Sequence, residues 1–358
     1  VSASPKLTVA IVFGGQSAEH EISILSARNV LAALDRTRFE PLLIGIDKSG
    51  HWIRQEERRL IESARDPRQV AIAPGATAGP LPRADGPRID VVFPVLHGTL
   101  GEDGAMQGLL ELAGLPYVGA GVLGSAIGMD KDVMKRLLKE AQIPVAPFKV
   151  VRGDHFESRP EEALTAMAAL GFPLFTKPAN AGSSVGVRRV KCAAELAAAV
   201  RYALEFDVKV IAEAAVAGRE IELAVLGGRA PQVSVAGEIV VQHADGFYSY
   251  DAKYLDPQGA RLELPAKISA AQLARAQALA LRTFEVLECE GMARVDFFLE
   301  RDGTLLVNEI NTIPGFTAIS MYPKLWELSG VPATLLVTRL IELALERAKR
   351  RPRPVTAS

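Results

Sequence analysis

Apolar residues follow three successive rhythms along this chain, and each predicts a different kind of layer. In the first third, Leu7–Phe13 is a continuous apolar run, as expected of a parallel strand buried on both faces. It breaks at Gly14-Gly15-Gln16-Ser17, and a helix is predicted over Ala18–Leu34. Phe39–Ile46 reads as the next strand, and part of the charged, then Pro- and Gly-rich segment Arg54–Arg88 reads as a surface excursion. A third strand, Ile89–Leu96, stops at the Gly-rich run His97–Gly104 before a helix over Ala105–Ala113, with Gly114 placed as its C-terminal cap. This alternation predicts an α/β domain whose parallel sheet carries ligands at the carboxyl ends of its strands.

Small residues over Gly121–Asp130 mark a junction before the helix Lys131–Ala141. Beyond Pro144 and Pro147, strands at Phe148–Val151, Pro173–Lys177, Val185–Val190 and Val208–Glu213 flank helices at Pro160–Leu170 and Ala193–Phe206, a small α+β lobe. From Arg219 strands dominate, including Glu220–Leu226 and Gln232–Val240, followed by helices Ala270–Leu287 and Pro332–Lys349. Three units are expected: 1–128, 129–217 and 218–358.

With 358 residues there is ample core for them. A formal net charge of -1, and no basic stripe interleaved with aromatics, argue against nucleic acid or an anionic membrane as partner. The basic tail Arg347–Arg353 continues a helix whose negative end it complements. Cys192 and Cys289 lack ligand spacing and read as core residues of a reducing compartment, and Leu7–Phe13 is too short to span a membrane. A cytoplasmic enzyme is the expected class.

The sharpest chemical signal is the pair of alternating segments Ala293–Leu299 and Thr304–Asn311 around Asp302-Gly303. Read as a two-residue turn, Asp302-Gly303 sets Asp296 opposite Glu309 and Arg294 opposite Asn311, all on one side of the sheet. Two like charges roughly 5 Å apart are destabilising without a cation between them. Asp, Glu and Asn offer hard oxygen ligands suited to Mg²⁺ and phosphate. The plainer alternative pairs one carboxylate with Arg294 and leaves the other solvated.

Other segments leave their alternatives open. Lys177-Pro178 followed by Ala179–Gly186 suits a loop approaching an anion closely, or mere flexibility; it is neither a P-loop nor a dinucleotide fingerprint. Glu213–Glu220 reads as a plain strand connection, or as a hinge whose backbone meets a base while Glu220 meets a ribose. At Gly14–Glu21, Ser17 is placed to cap the helix and its carboxylates to favour the positive end, or a carboxylate there binds a substrate ammonium; His20 reads as structural. His97 sits at the equivalent edge of another strand, and His243–Tyr254 is a surface hairpin or a water-excluding lid.

In their order, these motifs resemble the ATP-grasp superfamily and, within it, the D-alanine–D-alanine ligase family. The resemblance runs from Phe13-Gly14-Gly15 to Met321-Tyr322-Pro323, through Ser17–Ser23, Leu96-His97-Gly98, Gly101–Gly104, Met129-Asp130-Lys131, Lys177-Pro178, Gly182–Gly186, Ala252-Lys253-Tyr254, Asn308–Thr312 and Pro314-Gly315. It implies an ATP-grasp fold of three lobes, the first a parallel-sheet domain. ATP would lie between the other two, with Lys131, Lys177 and Lys253 on phosphates. Glu213, Glu220 and the backbones of Ala214 and Val216 would hold adenosine; many relatives carry Lys in place of Ala214. Asp296, Glu309 and Asn311 would bind two Mg²⁺ ions, with Mn²⁺ able to stand in.

Glu21 would take the ammonium of the first D-alanine, linked through Ser183 and Tyr254 to the loop and lid. Ser320 and Met321 would bind the second D-alanine, with His97 nearby. The implied chemistry is phosphorylation of the first carboxylate to an acyl phosphate, then attack by the second amine. Arg294 and the Gly315 N–H would stabilise the tetrahedral oxyanion. The implied product serves peptidoglycan synthesis, and the assembly expected is a homodimer. A D-alanine–D-lactate ligase is the nearest rival, disfavoured by Ala252-Lys253-Tyr254; an NAD-dependent oxidoreductase lacks its third fingerprint glycine.

Overall fold

Strands that are apolar on both faces need cover on both, and the first lobe supplies it. The computed structural model describes residues 5–63, 66–79, 87–242 and 259–350. In the first lobe these form β1 (Leu7–Gly14), α1 (His20–Ala33), β2 (Phe39–Ile46), β3 (Trp52–Gln55), α2 (Glu57–Glu62), β4 (Val91–Val95), α3 (Ala105–Leu112) and α4 (Val122–Met129). The sheet order is β3-β2-β1-β4, with β1 parallel to both neighbours and β3 an antiparallel edge. Chain order reverses between β1 and β4, so their carboxyl ends open the crevice where such sheets hold ligands. Ser17 Oγ bridges the two ends by donating to His97 O at 2.6 Å.

After α5 (Lys131–Glu140), whose apolar face packs with the last lobe, the central lobe contains β5 (Phe148–Arg152), α6 (Gly153–Ser158), α7 (Pro160–Ala168), β6 (Leu174–Pro178), β7 (Arg188–Val190), α8 (Ala193–Leu204) and β8 (Lys209–Ala214). Its antiparallel sheet runs β5-β8-β6-β7. The last lobe follows with β9 (Gly218–Gly227), β10 (Gln232–Val241), β11 (Ala260–Glu263), α9 (Ala270–Val286), β12 (Gly291–Glu300), β13 (Leu305–Asn311), α10 (Met321–Leu328) and α11 (Ala333–Arg350), its sheet ordered β11-β10-β9-β12-β13. One core packs α5 and α9 on this sheet; another joins its opposite face, through α10 and α11, to β1, β4 and α1. The expected fold class is the observed one.

The β12–β13 hairpin reaches the expected register by an unexpected route. Pairing runs Leu299↔Leu305 to Phe297↔Val307, so the loop has three residues, Arg301-Asp302-Gly303. Gly303, at φ +88°, closes it by donating to Glu300 O at 3.0 Å. That one-residue offset is cancelled by a bulge at Asn308, after which Asp296 faces Glu309 and Arg294 faces Asn311.

Other details differ from the sequence reading. The Arg54–Arg88 segment takes in the end of β3 and all of α2, and the Gly121–Asp130 junction contains α4. Ser17 does not cap α1: the N-cap position is Glu19, and Ser17 Oγ accepts from Glu19 N at 3.2 Å. Cys192 is exposed rather than core, whereas Cys289 is buried. Among the described residues no single helix is long and apolar enough to cross a membrane.

Candidate active site

A cavity of about 460 Å³ lies between the central and last sheets. The ends of β6 and β8 bring Lys177 and Glu213 to it, α5 brings Lys131, and β12 and β13 bring Arg294, Asp296, Asn308 and Glu309. Ala214, Val216 and Glu220 also line it. The Ala214 N–H is already held by Pro147 O at 2.9 Å, so any contact this residue makes to a base runs through its carbonyl. The loop after β6 turns on left-handed backbone at Ser183 and Ser184, φ +49° and +59°. Lys131 Nζ pins it by donating to Ala181 O at 2.7 Å.

Charges in this cavity are matched in advance. Both Asp296 oxygens accept from Arg294, at 2.7 and 2.6 Å, and Arg294 lies 2.9 Å from Glu222. Burial works against the Arg294 charge, but the Asp296 and Glu222 carboxylates outweigh it and raise its pKa well above the ordinary guanidinium value. Glu309 lies 3.6 Å from Lys131. The opposed carboxylates therefore have protein cations beside them: Asp296 pairs with Arg294, as the plainer reading of the hairpin has it, and Glu309 faces Lys131. Burial tends to raise the Glu213 pKa, yet Lys135 and Lys177 overcome it and hold the group down to about 2.

Among the described residues no three His, Cys, Asp or Glu side chains converge as a ready-made metal cage. The donor set is instead mixed: Asp296, Glu309 and the Asn311 amide, whose nitrogen donates to Asp296 at 3.1 Å. The bulge adds Asn308, whose buried Oδ1 has no hydrogen-bond partner. Hard oxygens only, on one sheet face beside Lys131 and Lys177, fit Mg²⁺ completed by phosphate oxygens.

A smaller cavity of about 110 Å³ adjoins the first, sharing Gly182, Ser183, Arg294 and Glu309 with it. Its remaining walls include Glu19, His97, Glu102, Gly315, Ser320 and Met321. Ser183 Oγ donates to Glu19 Oε1. Glu21 is not in this group: it faces Lys48 at 2.6 Å, which holds its pKa down against the effect of burial. The two carboxylates part because side chains two apart leave a helix in diverging directions. His97 is buried, with its ring nitrogens 3.0 Å from Ser26 Oγ and Ile313 O, and burial lowers its pKa. Ser320 Oγ accepts from Thr317 N at 2.9 Å, and a Cβ on Gly315 would stand 2.8 Å from it. Lys253 and Tyr254 lie outside the described residues.

Glu102 and Asn308 line these cavities and Lys135 lies behind Glu213, and the sequence alone signals none of the three. Burial first, and the Glu19 charge second, push the Glu102 pKa up to about 8. Between the ordinary glutamate range and that value, the folded chain holds a proton that the unfolded chain has released. Its contribution to stability therefore declines as pH rises through that window. Glu102→Gln keeps the acceptor for Gly98 N, now at 3.0 Å, and removes the charge. Thermal unfolding should show the variant more stable than the parent by at least about 2 °C at about pH 8.5, with no gain at about pH 4. An equal shift at both would contradict the assignment.

Comparison with known proteins agrees with this geometry. The model for the D-ala D-ala ligase N-terminus matches residues 8–120, and that for the C-terminus matches residues 137–342. The chain belongs to the D-alanine–D-alanine ligase family. D-alanine--D-alanine ligase A of Chromobacterium violaceum is 50% identical over 96% of both chains. Among solved ligases of the family, the D-alanine-D-alanine ligase from Coxiella burnetii shares 38% identity with a TM-score of 0.81, covering 97% of this chain and 96% of that one. VanG D-Ala:D-Ser ligase from Enterococcus faecalis, at 34% identity and TM-score 0.80, covers 95% of this chain and 100% of its own.

Proposed function

We propose that this chain joins two D-alanines into D-alanyl-D-alanine, consuming ATP, in the cytoplasm of a bacterium building peptidoglycan. The observation that carries the reading is the meeting of two cavities across Ser183, Arg294 and Glu309. The larger is lined by lysines and oxygen donors and suits a nucleoside triphosphate. The smaller is walled by carboxylates and suits an amino acid.

In this reading Glu213 accepts from the adenine amine, the Ala214 carbonyl and Val216 backbone meet the base edge, and Glu220 accepts from the ribose. Lys131 and Lys177 hold phosphates, with Lys253 as a third cation. Asp296, Glu309 and Asn311 would hold Mg²⁺, which supplies neutralisation of the triphosphate's charge. Glu19, rather than Glu21, receives the first ammonium, held in place by Ser183. Entry of that cation between Glu19 and Glu102 favours loss of the Glu102 proton.

A carboxylate oxygen of the bound D-alanine attacks the γ-phosphorus, and the bond to ADP breaks. The amine of the second D-alanine, placed by Ser320 and Met321, then attacks the acyl carbon. Arg294 and the Gly315 N–H face the resulting oxyanion, the C–O bond to phosphate breaks, and the amine proton is lost. A buried site is needed because water would hydrolyse the acyl phosphate. The test is phosphate release from ATP and Mg²⁺ with D-alanine or L-alanine. Release is expected only with the D-isomer; equal turnover with L-alanine overturns the substrate assignment.

A further inference from the structure

Glu213 is served by two lysines, only one of which the proposed chemistry uses. Lys135 Nζ lies 2.6 Å from Glu213 Oε1, while Lys177 pairs with Oε2. Lys135 is fully buried, with no exposed side-chain surface, so it does not reach the cavity itself. It stands one turn after Lys131 on α5, and its neighbours Met134 and Leu138 belong to the core under the last sheet. A lysine buried this deeply is costly unless it is paired, so the sequence retains a charge where an apolar side chain would pack. Burial lowers the Lys135 pKa, and Glu213 opposes that change.

We infer that Lys135 is a positioning residue: it is the standing counter-ion that keeps Glu213 an obligate hydrogen-bond acceptor, and so sets a preference for purines bearing an amine, rather than an oxygen, on the six-membered ring where adenine carries its amine. The inference rests on the reading of Glu213 as the purine contact. Its physical basis is an exchange of partners. When a nucleotide's phosphates recruit Lys177, Glu213 loses one of its two cations. Buried and alone, the carboxyl would take up a proton and become able to donate. Lys135 cannot leave, because the core encloses its stem. An ionised Glu213 accepts from an amine and repels a carbonyl oxygen in the same place; a protonated one tolerates either.

The experiment compares ATP with inosine triphosphate, which carries oxygen in place of that amine, in the phosphate-release assay with D-alanine. For Lys135→Met, KM for ATP should rise while kcat stays within about threefold, and the ATP-over-inosine preference in kcat/KM should fall at least about tenfold. Glu213→Gln should lose the preference on its own, since an amide both accepts and donates. The double variant should then be no worse than Glu213→Gln alone, because both changes act through one group. If the methionine variant does not fold, Lys135→Gln removes the charge while retaining a donor, and the same loss of preference is expected. An unchanged preference in the Lys135 variants, with Glu213→Gln having lost it, overturns the role of Lys135. An unchanged preference in Glu213→Gln instead overturns the purine contact beneath it.

Discussion

Asp296→Asn should lower D-alanine-dependent phosphate release roughly a thousandfold, about 4 kcal/mol in the barrier. The substitution keeps size and removes one anionic oxygen donor from the face shared with Glu309 and Asn311. It also turns the bidentate contact with Arg294 into one that an amide satisfies only in part. Arg294 retains Glu222 at 2.9 Å, so the sheet should stay folded, and the loss should appear in kcat rather than in unfolding temperature. Raising Mg²⁺ should recover part of the activity in this variant and none in a variant that has lost Lys177. A fall smaller than tenfold, insensitive to Mg²⁺, would mean that Asp296 serves only to orient Arg294.

Glu19→Gln and Glu21→Gln form a pair with opposite expected outcomes. Glu19 is buried, accepts from Ser183 and faces the smaller cavity. Losing a buried counter-charge for a substrate ammonium costs about 3–5 kcal/mol, so kcat/KM for D-alanine should fall by ~10²–10⁴ while ATP binding is unchanged. Glu21 pairs with Lys48, whose side chain is 66% exposed. Removing a pair whose lysine is solvent-exposed costs at most ~1 kcal/mol, and Glu21→Gln should remain within about fivefold of the parent. Steady-state kinetics in D-alanine on the two variants settles the assignment; the reverse ranking would return the ammonium to Glu21.

Where a residue's role depended on local alternation, the sequence was legible. Leu7–Phe13 and Phe39–Ile46 announced parallel strands because apolar side chains dominate both runs despite Thr8 and Glu40. Asp296 and Glu309 faced each other as expected, but only because the extra residue at Asn308 offsets the three-residue turn. A bulge has no periodic signature, so this agreement rested on two compensating departures. Helix α4 was missed because Gly124 and Gly128 read as breakers. In the fold they permit close packing: a Cβ at Gly124 would stand 2.4 Å from Glu288 O, and one at Gly128 2.9 Å from Thr312. Which of Glu19 and Glu21 lines the smaller cavity follows from the phase of α1, which a Gly-Gly turn does not convey. Glu102 and Lys135 were hidden for another reason. Each looks like a surface charge until the tertiary fold buries it beside its partner.

The meeting of the two cavities implies that a D-alanine carboxylate oxygen bonds to the γ-phosphorus before the peptide forms. D-alanine labelled with oxygen-18 in its carboxylate, turned over with Mg²⁺ and ATP, should deliver a single labelled oxygen to each inorganic phosphate released. Phosphate carrying no label, alongside fully formed dipeptide, would contradict it.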